Sequence, residues 1–69
     1  MNLAIELEQE DDGRWIAEID ELDGVLVYGA TREEAIKNVK TLALRVIADR
    51  LENGDSLPEH VESLIFQAA

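Results

Sequence analysis

The chain has 69 residues, sixteen Asp plus Glu against six Lys plus Arg, and a formal charge of −10. That length permits one domain that buries only about 60% of its unfolded surface, and with no cysteine and a single histidine neither disulfides, thiolate metal sites nor a histidine-rich metal site is available to reinforce it. The charge disfavours nucleic acid, whose affinity comes largely from cations that displace phosphate counterions, and favours encounter with basic surfaces.

The first residues alternate: Leu3, Ile5 and Leu7 stand between Ala4, Glu6 and Glu8. A period of two describes a strand with one buried and one polar face. The stretch has neither a basic start nor a continuous apolar core, so it does not read as a signal peptide. No run approaches the roughly 18 to 20 apolar residues of a membrane span, and a cytoplasmic protein is expected.

Asp12-Gly13 between two alternating runs is a hairpin signal, because glycine tolerates positive φ at the turn. Trp15, Ala17 and Ile19 form one face of a second strand, with Arg14, Ile16 and Glu18 on the other. Glu21-Leu22-Asp23-Gly24 reads as a second turn. Val25 to Tyr28 is β-branched and aromatic and reads as a third strand. Its apolar residues fall on both faces, as in a strand covered by a helix on one side and by something else on the other.

Thr31 and Glu34 match a capping box that opens a helix. Ala35, Ile36, Val39, Leu42, Ala43, Val46, Ile47 and Leu51 recur at three- and four-residue steps and form a wide apolar stripe; Leu44 and Ala48 lie off it. Gly54 is the natural stop, giving a helix of about 20 residues, roughly 30 Å long. Asp55 to His60, with Pro58, reads as a loop, and Val61 to Gln67 as a final strand. The expected fold is α+β, in the order β-β-β-α-β: a three-strand antiparallel meander, one long helix on one sheet face, and a fourth strand that can lie parallel to the first.

The residues offer little chemistry. The four glycines stand at turns and form no phosphate loop. Ser56, Ser63 and His60 are close in sequence, and a polar loop explains them better than catalysis does. Glu8, Glu10, Asp11 and Asp12 cluster at a hairpin tip without the spacing of a calcium loop. No catalytic residue, metal or cofactor is therefore expected.

Trp, Tyr and Arg are the types most enriched at interface hot spots, and a single helix leaves one sheet face uncovered. The candidate partner-binding residues are Trp15, Ile16, Glu18, Leu26 and Tyr28. Two registers are open: Trp15 faces the helix while Ile16, Leu26 and Tyr28 line the other face, or Trp15 is the surface anchor.

Asp12-Gly13-Arg14-Trp15-Ile16-Ala17-Glu18-Ile19, then Glu21-Leu22, Gly24-Val25, Tyr28-Gly29 and Thr31-Arg32-Glu33-Glu34-Ala35, resembles the HicB family of antitoxins over about residues 1 to 50. That family's pattern is an acidic DG hairpin, an E-L-P-G turn, a short strand and a G-x-T-x-E-E-A helix start. Asp23 replaces the usual proline, and aspartate is also turn-competent. The resemblance implies a partial ribonuclease H-like fold without catalytic machinery. It implies pairing with a HicA-type toxin, a small basic protein that cleaves mRNA, by covering the toxin's RNA-binding face and catalytic histidine. Many family members add a C-terminal DNA-binding domain; residues 1–69 read as a single HicB-like domain without one, so direct DNA binding is not expected. The alternative is a solitary, oligomeric, non-catalytic scaffold or regulatory module. A homodimer or tetramer is expected in either case.

Overall fold

The structure, a computed structural model, describes residues 2–54 and 65–68. The elements are β1 (Asn2–Gln9), β2 (Trp15–Glu18), β3 (Leu26–Gly29), α1 (Arg32–Asn53) and β4 (Ile65–Ala68). They form an α+β fold, a four-stranded mixed sheet with one helix. The sheet order is β3-β2-β1-β4, with β1/β2 and β2/β3 antiparallel and β1/β4 parallel. The expected meander, helix and parallel fourth strand are all present. The segment expected to run from Val61 is a strand at Ile65–Ala68; residues 61–64, and with them Ser63, lie outside the described part, as do Ser56, Pro58 and His60.

Alternation in β1 and β2 builds the core. Leu3, Ile5, Ala17 and Ile19 are buried and meet Ala35, Val39, Ala43 and Ile47 of the helix, with Leu7, Trp15, Val27 and Phe66 packed around them. The hairpin turns on a three-residue tip, Asp11 to Gly13, closed by Glu10 N–H donating to Arg14 O at 2.7 Å, with Gly13 at φ 92°. This length sets Leu7 opposite Ala17, which keeps both apolar rows on one face; a two-residue loop would shift them to opposite faces. The second turn folds Leu22 into the core at 1% exposure. Val25, expected to begin the third strand, instead belongs to this turn and is buried there.

The helix starts where its sequence says it should. Thr31 Oγ1 accepts from Glu34 N–H at 3.1 Å. Glu34 reaches back to Ala30 N–H at 3.2 Å, one residue beyond the partner of the usual capping box. Gly54 ends the helix in the left-handed conformation, its N–H donating to the carbonyls of Arg50 and Leu51. Helix and strand approach closely at Gly29, where a Cβ would stand 2.8 Å from Ala35 Cα. Asn38 Nδ2 donates to Tyr28 O at 3.0 Å and ties the helix to the edge strand β3.

One stripe residue departs from expectation. Leu51 is 57% exposed. At about 100° per residue it is rotated roughly 120° away from Val39, outside the line that faces the sheet.

Candidate protein-binding face

The outer face of the sheet is built from the alternate residues of the same strands. Two cross-strand rows define it: Glu6 opposite Glu18 opposite Leu26, and Glu8 opposite Ile16 opposite Tyr28. Residues directly opposite on neighbouring strands stand about 4.5–5.5 Å apart at Cβ, so each row is a continuous strip of side chains. Leu26 and Tyr28 are 44% and 45% exposed; Ile16 and Glu18 are half-buried. Among the described residues no helix covers them, and the result is an apolar patch bordered by carboxylates.

Four of the five residues singled out from sequence therefore come together: Ile16, Glu18, Leu26 and Tyr28. Trp15 does not join them. Strand alternation turns it toward the helix, where it packs against the core. The register in which Trp15 is a surface anchor is thereby excluded.

Sequence reasoning left Arg14 out of the site. Its guanidinium lies over the Tyr28 ring, 4.7 Å from the centroid. Its Nε donates to Asp12 Oδ2 at 2.8 Å and its backbone N–H to Asp12 Oδ1 at 3.0 Å. The backbone N–H of Arg14 is the leading cause that holds the Asp12 carboxyl below its ordinary value, with the side-chain hydrogen bond and charge adding to it. Asp12 thus fixes a cation over an exposed aromatic ring, which orders both before any partner arrives.

Beside this pair the face is strongly negative. Carboxylate oxygens of Glu6, Glu18 and Asp20 lie within 4.8 Å of one another. The charge of Asp20 is the largest cause that raises the Glu6 carboxyl above its ordinary value, followed by desolvation and the charge of Glu18. The acidic residues of the hairpin tip, Glu8, Glu10, Asp11 and Asp12, form no such group among the described residues. The signal for the cluster was the hairpin register, which sets Glu6 opposite Glu18. Like charges directly opposite cost stability, and a lysine or arginine brought by another protein would relieve that repulsion.

Two shallow depressions flank the patch. One, of about 210 Å³, is lined by Glu6, Leu7, Glu8, Ile16 and Glu18. The other, of about 280 Å³, lies along Glu18, Asp20 and the turn from Leu22 to Leu26. Both fall below the roughly 300–1,000 Å³ of sites that enclose small molecules, so the face suits a protein surface better.

The acidity belongs to the sheet layer. Residues 2–31 carry nine carboxylates (Glu6, Glu8, Glu10, Asp11, Asp12, Glu18, Asp20, Glu21, Asp23) and one cation, Arg14. The helix carries five cations (Arg32, Lys37, Lys40, Arg45, Arg50) and four carboxylates (Glu33, Glu34, Asp49, Glu52). Among the described residues no helix is long and apolar enough to cross a membrane. The chain matches no protein-family model, no curated protein and no solved structure.

Proposed function

We propose that this is a non-catalytic binding domain whose outer sheet face captures a small basic protein, as a HicB-like antitoxin masks a HicA-type mRNA-cleaving toxin. The observation that carries the reading is the union of Ile16, Leu26 and Tyr28 with Glu6, Glu8 and Glu18 on one uncovered surface. An apolar centre bordered by one sign of charge is the layout of a protein interface: the centre supplies affinity, and the border steers and selects the partner. The β-β-β-α-β order is compatible with a HicB-like domain, and the ordered pattern from Asp12 to Ala35 supports that family. On this reading the domain works in the cytoplasm, uses no cofactor, metal or catalytic residue, and does not bind DNA directly. The acidic face imitates the charge of RNA before the toxin's RNA-binding surface.

The test is to mix the full chain with the HicA-type protein encoded beside it and measure binding by calorimetry and mRNA cleavage in parallel. Binding that weakens as salt rises, with loss of cleavage, is the expected result. A chain that leaves cleavage unchanged and gives no heat at about 10 μM of each protein, a concentration well above the dissociation constant of a stable complex, would remove the antitoxin reading.

A second reading, the solitary oligomeric scaffold, is favoured by a different observation. Leu44 and Leu51 are 49% and 57% exposed on the outer side of the helix, and apolar side chains there invite a second copy.

A further inference from the structure

The outer side of α1 has an order of its own. Lys37, Thr41, Leu44, Ala48 and Leu51 follow alternating steps of four and three residues, the spacing of a helix-pairing seam. All five are exposed. Viewed down the helix they lie opposite the line Ala35, Val39, Ala43, Ile47 that packs on the sheet. From Leu44 to Leu51 the helix is thus apolar on two sides, and among the described residues only one of them is covered within the chain.

We infer that this second seam pairs two copies of the chain through an antiparallel contact between their α1 helices. Charge selects both the occupant and its direction. Arg45 and Glu52 are seven residues apart, so they occupy the same position of the repeat, along one flank of the seam. In an antiparallel pair each flank faces the same flank of the other helix, so Arg45 of one copy meets Glu52 of the other, twice by symmetry. In a parallel pair opposite flanks meet five residues apart, which sets Lys40 against Arg45, two like charges. Among the described residues neither Arg45 nor Glu52 has an ion-pair partner in its own chain. The same register brings Ala48 against Ala48 at the two-fold axis, where a small side chain allows helices to approach to about 8 Å. Leu44 then packs beside Leu51 of the other copy.

Sheet-to-sheet pairing is opposed by charge, since it would set the Glu6, Glu18, Asp20 cluster of one copy near that of the other. The helix contact is isologous and closes as a dimer, and it leaves the acidic sheet face open in both copies. One helix pair buries less than the roughly 800 Å² per partner of a standard interface, the size of weak, transient contacts, so the test spans the micromolar class.

Sedimentation equilibrium of the full chain, loaded from about 1 to 500 μM to span that class, tests this. A monomer–dimer equilibrium is expected, and a chain monomeric throughout overturns the inference. Leu44→Glu should give a monomer with unchanged helical circular dichroism; a folded Leu44→Glu dimer overturns it. Arg45→Glu and Glu52→Arg should each weaken the dimer roughly tenfold, and the double exchange should restore it. Glu52→Arg is diagnostic, because it lowers the net negative charge and so would strengthen any contact not built on this pair. A dimer strengthened by Arg45→Glu indicates the parallel arrangement and also overturns the inference. Ile16→Ser/Tyr28→Ser should leave dimerisation intact; its loss there would move the contact to the sheet.

Discussion

The two faces of the sheet are made by the same strands and differ in almost everything else. Leu3, Ile5, Leu7, Trp15, Ala17 and Val27 point to the helix and are buried or half-buried. The residues between them, Ala4, Glu6, Glu8, Ile16, Glu18, Leu26 and Tyr28, point outward, and most are exposed. Because a strand alternates with a period of two, one row is set by packing and the other is left free of it. Ile16, Leu26 and Tyr28 on the free row contribute little to the core, so their apolar character calls for another explanation, and an interface supplies one. The charges follow the same division: the sheet layer is acidic and the helix behind it nearly balanced.

Substitutions should separate the two faces by size of effect. The largest is expected on the inner row. Ile5→Ala removes a fully buried side chain at about 2–5 kcal/mol, enough to leave this small domain largely unfolded, as urea denaturation followed by circular dichroism would show. Gly29→Ala comes next, because its Cβ would press on the Ala35 backbone; overpacking of this kind costs about 1–3 kcal/mol in the same measurement. Thr31→Ala removes the cap bond to Glu34 N–H and should cost about 1 kcal/mol. On the outer row, Ile16→Ser/Tyr28→Ser should change stability by less than about 1 kcal/mol, the size of a surface change plus one exposed cation–π contact. A loss as large as that of Ile5→Ala would show that the outer row belongs to the fold.

The smallest effect is a pH dependence. Repulsion from Asp20 raises the folded-state Glu6 carboxyl above its ordinary 4.5. Its contribution to stability is complete below 4.5 and is lost as pH rises through the higher folded value. Asp12 acts in the opposite sense: its contribution is present above 3.8 and is lost as pH falls through its lower folded value. The urea midpoint should therefore rise slightly on acidification from neutral toward 4.5 and lose the Asp12 part below 3.8. Glu6→Gln should remove the rise.

Much of this architecture was legible in the sequence because its signals are local. The alternation at Leu3, Ile5, Leu7, the Asp12-Gly13 turn, the Thr31 cap and the Gly54 stop each act within a few residues, and each appears where expected. What was not legible depends on register. Whether Trp15 faces in or out turns on the length of the hairpin tip, and the three-residue tip decides it. The demand that Leu3, Ile5 and Leu7 share a face with Ala17 and Ile19 already required a loop of that parity. Arg14 escaped notice because its role comes from Tyr28, fourteen residues away in sequence. Leu51 was misplaced because a three- and four-residue pattern tracks a turn or two faithfully and drifts over a helix of 22 residues.

The most direct test of the division between faces is chemical-shift mapping on the ¹⁵N-labelled chain, titrated with the HicA-type protein encoded beside it. We expect the largest changes at Arg14, Ile16, Glu18, Leu26 and Tyr28, with the helix residues Thr41, Leu44 and Ala48 unmoved. Changes concentrated on the helix, with Ile16 and Tyr28 undisturbed at saturation, would contradict the assignment of binding to the open side of the sheet.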